Sequence, residues 1–147
     1  MEGAMADANV KILTGGCLCG AVRLRISAEP ILARVCWCRL CQTIGAGGPT
    51  VNVCFPVEAV ELEGPTNDFA CVADSGSHMH RRFCPTCGVH LVSTAESRPH
   101  LIFIRAGALD DREVARPAMT IWTEQAPSWA CFDPDLPQMV RQPPPAA

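Results

Sequence analysis

Three tight groups of cysteine constrain this chain more than any other feature. Cys17-Leu18-Cys19, Cys36-Trp37-Cys38-Arg39-Leu40-Cys41 and Cys84-Pro85-Thr86-Cys87 hold seven of its ten cysteines. Thiols this close along a turn are too crowded to disperse into a core as small apolar side chains. They converge on a common partner. In an exported protein that partner would be another cysteine, in a disulfide framework. The stretch Met1–Gly16 has no apolar h-region of a secretory signal, however. A cytoplasmic location is therefore expected, where thiols stay reduced, and metal binding becomes the leading explanation.

Zinc takes thiolates at the corners of a tetrahedron, at about 2.3 Å. Cys84 and Cys87, followed by Gly88, form a knuckle turn in which glycine relieves crowding and lets backbone N–H groups face sulfur. Cys17 and Cys19, between Gly15-Gly16 and Gly20, offer a second pair. The two pairs together complete one four-thiolate site, stapling distant parts of the chain. The middle group, Cys36, Cys38 and Cys41, has three thiols and no obvious fourth. That leaves one position for water or substrate, as in catalytic zinc sites. Two zinc ions per chain are expected, one structural and one catalytic. The alternative is that Cys54, Cys71, Cys131 or a histidine closes the middle set into a second structural site. Cys54 and Cys71 fall in or near predicted strands, where cysteine reads as a small buried hydrophobe, and Cys131 is read the same way. The four histidines, His78, His80, His90 and His100, are read as surface or hydrogen-bonding residues before ligands, with His78 and His80 the best of a weak set.

A length of 147 residues suits a single core. Val22, Leu24 and Ile26 alternate with arginines, the period of a half-buried strand. Residues 50–55, 59–62, 89–93, 101–105 and 119–122 read as further strands, short and bounded by Gly, Pro, Asn or Asp. Thirteen prolines and eleven glycines leave room only for short helical turns, after Cys38 and around Pro127 to Ala130. Asp110-Asp111 is read as a turn. The expectation is a mainly β domain over 13–139, with a flexible segment at 1–12 and a proline-rich tail at 140–147. No stretch approaches the roughly 20 apolar residues of a membrane helix. A net charge of -3 speaks against nucleic-acid binding, which depends on neutralising phosphates. The oligomeric state is left open.

The order of three motifs resembles the glutathione-dependent formaldehyde-activating enzyme family, which also contains centromere protein V. They are Gly16-Cys-Leu-Cys-Gly-Ala-Val-Arg23, Cys36-Trp-Cys-Arg-Leu-Cys41 and Arg82-Phe-Cys-Pro-Thr-Cys-Gly88. Ala106-Gly-Ala-Leu-Asp-Asp111, Trp122 and Trp129 resemble its carboxy-terminal half, so the similarity runs from about Leu13 to Met139. The resemblance implies a β-tent of twisted antiparallel sheets. It places a structural zinc on Cys17, Cys19, Cys84 and Cys87 and a catalytic one on Cys36, Cys38 and Cys41. It also implies a carbon–sulfur lyase that makes S-hydroxymethylglutathione. Trp37 stands where relatives often carry histidine, and Arg39 replaces a commoner small residue.

Three thiolates on Zn²⁺ leave a formal charge of about minus one, a weak Lewis acid suited to binding an exogenous thiol and lowering its pKa. A glutathione-like thiol would then meet formaldehyde or another small electrophile. A tripeptide with two carboxylates needs cations, and Arg39, Arg81 and Arg82 lie close in sequence to the ligand cysteines. The alternative is that they face solvent or compensate thiolate charge. Trp37, Trp122 and Trp129 are candidate pocket walls, with Trp122 read first as core; Ser128, beside Trp129, is a weaker polar candidate whose alternative is a helix cap. Two other functions stay in view, a glutathione-adduct lyase acting on a different substrate and a non-catalytic zinc module that binds a partner.

Overall fold

The computed structural model describes residues 11–144. The expected flexible segment and proline-rich tail fall partly outside that range. Ten strands form two sheets. The smaller joins β1 (Leu13–Gly16), β2 (Arg23–Ile26) and β5 (Val60–Glu63) in the order β1-β2-β5, all antiparallel. The larger contains β3 (Leu32–Cys36), β4 (Thr50–Pro56), β6 (Asn67–Val72), β7 (His78–Phe83), β8 (His90–Ala95), β9 (Leu101–Arg105) and β10 (Met119–Ile121). Its order is β10-β3-β4-β9-β8-β7-β6. The mainly β expectation holds. The antiparallel rule has one exception, since β10 runs parallel to β3 at the edge.

Alternation along each strand assigns its two faces. Val22, Leu24 and Ile26 are buried, as their spacing predicts, and meet Val53, Phe55, Ile102 and Ile104 of the larger sheet in the main core. The residues between these on β4 and β9 point to the opposite face. There the cross-strand register sets Arg34 beside Asn52 and Asn52 beside Arg105. It likewise aligns Cys36 with Thr50, Phe103 with Ser93, and Ser93 with Arg81. One side of the sheet is thus an apolar core and the other a row of arginine, cysteine and small polar residues.

Among the described residues one α-helix, α1 (Arg39–Ile44), follows Cys38, where the sequence places a helical turn. Cys38 caps it, its Sγ accepting from the Cys41 N–H at 3.4 Å. The residues around Pro127 to Ala130 form a turn and not a helix. Gln142 and Arg141 of the tail reach back to the body, accepting from Trp122 Nε1 at 2.9 Å and pairing with Glu124 at 2.6 Å.

His80 bridges strands at the surface, Nδ1 lying 2.7 Å from Asp68 and Nε2 2.8 Å from Glu96. Both nitrogens are committed to carboxylates, which is the arrangement of a surface ion pair. The hydrogen bonds to Asp68 and then Glu96 raise the His80 pKa above its ordinary value. A raised folded-state pKa contributes stability that is full below the unfolded value, about 6.5, and is lost as pH rises through the folded one. The melting-temperature gap between wild type and His80→Gln should therefore be larger at pH 6 than at pH 9. A gap independent of pH would contradict this ion pair.

Candidate metal centres and the adjoining cavity

Two turns from opposite ends of the fold bring the first cysteine group together. Cys17 and Cys19 follow β1, while Cys84 and Cys87 follow β7; their four sulfurs lie within 4.8 Å of one another. Cys17 Sγ is 3.6 Å from Cys19 Sγ, which is 3.7 Å from Cys84 Sγ. These separations are far beyond a disulfide's roughly 2.05 Å. They match the edge of about 3.8 Å in a tetrahedron built on Zn–S bonds of 2.3 Å. Backbone donors face the sulfurs, Val22 N–H to Cys17 at 3.3 Å and Thr86 N–H to Cys84 at 3.4 Å. Gly20 and Gly88, each directly after the second cysteine of its pair, turn with φ of +84° and +76°, which a side chain would strain. Burial opposes ionisation of Cys17, yet Val22 N–H and the neighbouring thiols hold its pKa below the ordinary value. The N–H groups of Val89 and Cys19 bring Cys87 down to about 6. The donor set fits a tetrahedral thiophilic cation.

The second group is assembled by β3 and α1. Cys36 ends the strand, Cys38 caps the helix and Cys41 lies one turn on, so three buried sulfurs converge within 4.8 Å. Gln42 locks this turn, donating to the carbonyls of Trp37 at 2.7 Å and Gln125 at 2.9 Å. Three thiols this close cannot all ionise unaided. Hydrogen bonds from Cys36 and Cys38, then Thr50 and the Arg105 charge, bring Cys41 down to about 2, while Cys36 is pushed far up by the same neighbours and by burial. The set therefore holds one thiolate, on Cys41, with Cys36 and Cys38 kept protonated by their neighbours, and a bound metal cation would let all three ionise. Among the described residues no fourth Cys, His, Asp or Glu joins it. Cys54 is buried beside Leu101 and Phe103. Cys71 accepts from Arg81 Nε at 3.4 Å, and Cys131 is exposed.

The three cysteines open onto a cleft that is continuous with solvent. Four arginines line it: Arg34, Arg81, Arg98 and Arg105. Of the arginines the sequence suggested, only Arg81 is among them. Arg39 and Arg82 are exposed. Arg82 must point away from its neighbour Arg81, because adjacent residues of a strand face opposite sides. Trp37 is buried in an aromatic cluster, edge-on to Trp129 at 6.3 Å and Phe132 at 6.1 Å, and does not line the cavity. Trp122 does line it, although it is also largely buried. Arg34, Arg98 and Arg105 went unnoticed in the sequence. Arg34 carried a signal all the same, since it precedes Cys36 by two residues and so shares its face.

The sequence profile of the glutathione-dependent formaldehyde-activating enzyme family matches residues 12–125, which span both cysteine groups and the cavity strands. The chain belongs to that family. A Halomonas elongata protein, provisionally named a glutathione-dependent formaldehyde-activating enzyme, is 30% identical over 125 residues. The match covers 80% of this chain and 79% of the Halomonas protein. A crystal structure of a Rhodobacter sphaeroides protein is similar at a TM-score of 0.49 and 23% identity, covering 66% of this chain and 87% of that one. Among the described residues no helix is long and apolar enough to cross a membrane.

Proposed function

We propose that this protein is a cytoplasmic, zinc-dependent carbon–sulfur lyase that joins a thiol such as glutathione to formaldehyde or another small electrophile. The observation that carries the reading is the convergence of three buried thiols, with no fourth protein ligand among the described residues, onto a cavity lined by guanidinium groups. Family membership supports the same chemistry. Cys36, Cys38 and Cys41 would hold the catalytic zinc, and Cys17, Cys19, Cys84 and Cys87 the structural one. A zinc ion there supplies a Lewis acid that lowers the pKa of an incoming thiol, so that thiolate is available near neutral pH.

The chain's own residues do the rest. Arg81 and Arg98 offer cations to the carboxylates of a peptide thiol. Trp122, Phe103 and Ile121 supply apolar wall, restricting the water that competes for the electrophile. The adduct forms when the thiolate lone pair makes a sulfur–carbon bond and the carbonyl oxygen takes up the proton the thiol released. Exchange between glutathione and aldehyde, followed by NMR, tests this. Acceleration of at least about tenfold over buffer, or about 1.4 kcal/mol of barrier, is expected. No acceleration with any aldehyde at any thiol concentration would overturn the lyase reading.

A further inference from the structure

Three of the cavity's arginines are deeply buried, Arg34, Arg81 and Arg105, and of these Arg34 and Arg105 lie in the pleat row next to the thiols. They flank Asn52 in a cross-strand row on the cavity face, and the next row along the pleat is Cys36 and Thr50. Two strand residues rise about 7 Å, so both guanidinium groups belong to the immediate surroundings of the thiols. Arg105 is within electrostatic reach of Cys41 and Cys36, and Arg34 of Cys36. Neither makes an ion pair among the described residues. Arg105 Nη1 donates to Asn52 Oδ1, but its Nε and Nη2 have no partner, and neither has Arg34 Nε. Nε and Nη2 form one side of a guanidinium, the side that grips both oxygens of a carboxylate. Buried donors of this kind are costly to leave unmade. Asp74 is the one acidic residue lining the cavity.

Formaldehyde is uncharged and offers these groups nothing. Glutathione carries its carboxylates at its two ends, each more than a residue's length from the sulfur. With its sulfur beside Cys36, Cys38 and Cys41, those carboxylates can extend to Arg98 and to Arg81, which lies in the pleat row of Ser93 and Phe103, one beyond that of Arg34 and Arg105. An anion that meets Arg34 and Arg105 must instead be attached directly to the reacting carbon. We infer that the electrophile is a 2-oxo acid of the glyoxylate type, its carboxylate held by Arg105 and Arg34 while the neighbouring carbonyl carbon accepts the thiolate. The sulfur lone pair forms the S–C bond, and the C=O π pair moves to oxygen, which gains the thiol's proton. No oxidant or reductant is needed. Arg34 and Arg105 are then specificity-determining residues for the reaction proposed above, on which this inference rests.

Stable analogues of the two possible adducts test it without turnover. S-carboxymethylglutathione carries the carboxylate on the carbon bound to sulfur, and S-methylglutathione lacks it. By isothermal titration the wild type should bind the carboxymethyl compound at least about tenfold more tightly. Arg34→Gln and Arg105→Gln, each checked for zinc content and circular dichroism, should remove that gap and leave S-methylglutathione binding in place. Equal affinities in the wild type would overturn the 2-oxo acid while leaving the thiol reading intact. A gap that persists in both variants would overturn the assignment to these arginines. Binding of neither compound would overturn the thiol reading and the inference together. If a glutamine variant fails to fold, Arg34→Lys or Arg105→Lys, which keeps the charge but not the two-pronged fork, takes its place in the same comparison.

Discussion

Replacing Cys84 with serine should abolish the cooperative unfolding transition of the domain, or lower its midpoint by tens of degrees. Cys84 is fully buried in the main core and sits at the junction of β7 with the turn that carries Cys87. Its partners Cys17 and Cys19 arise from the smaller sheet, so the proposed four-thiolate site ties the two sheets together. Structural zinc sites contribute on the order of 10–16 kcal/mol of apparent binding energy, against a net stability of about 5–15 kcal/mol for a whole domain. Losing the metal therefore removes a quantity comparable to all the stability there is. Cys19→Ser separates metal from packing, because Cys19 is exposed and fills no core volume. Serine at position 19 should be nearly as damaging as serine at 84, with loss of one zinc in each. A Cys19→Ser protein melting within a few degrees of wild type, at full metal content, would refute the staple.

The strands that the sequence revealed are those with at least one continuous apolar face. Residues 101–105 are read correctly to the residue, because Leu101–Arg105 is buried on both sides. The strands it concealed have other work for their side chains. In β3, Leu-Ala-Arg-Val-Cys, Arg34 faces the cavity and breaks the apolar alternation that announces a strand. In β7, His-Met-His-Arg-Arg-Phe, the polar run reflects a surface ion pair on one face and a cavity arginine on the other. Strand β6 lies at the sheet edge with nearly every residue exposed, and so has no periodicity to read.

The two cysteine groups were legible because turn spacing alone brings thiols together, and no long-range information is needed beyond which pair meets which. The cavity was not. Nearness in sequence to a cysteine selected Arg39 and Arg82, yet a helix start directs the first to solvent and strand alternation directs the second away. Arg105 reaches the thiols only because β4 lies between β9 and β3, with Asn52 joining the two arginines across the sheet. Such a pairing across non-consecutive strands is a property of topology. Only the face shared by Arg34 and Cys36 was available to local reasoning.

The second large effect expected is of the opposite kind. Cys38→Ser should leave the fold intact and remove the chemistry. Serine is itself a good helix cap, so the hydrogen bond from Cys41 N–H that Cys38 accepts can be kept and α1 retained. The site is held by Gln42, Gln125 and the sheet, none of which requires the sulfur. One of two zinc ions should be lost, with a change in melting temperature small beside that of Cys84→Ser. Thiol–aldehyde exchange should fall by on the order of 10²-fold, about 2.7 kcal/mol of activation free energy. The pH profile gives an independent reading. A free thiol with a pKa near 8.5 is mostly protonated at pH 7, so any residual rate should climb steeply between pH 7 and 8.5. In the wild type a metal-bound thiol would already be ionised across that range, and the rate should stay nearly flat. Parallel profiles in the two proteins would mean that the three-cysteine group does not activate the thiol. Equal loss of stability in Cys38→Ser and Cys84→Ser would mean that both sites are structural.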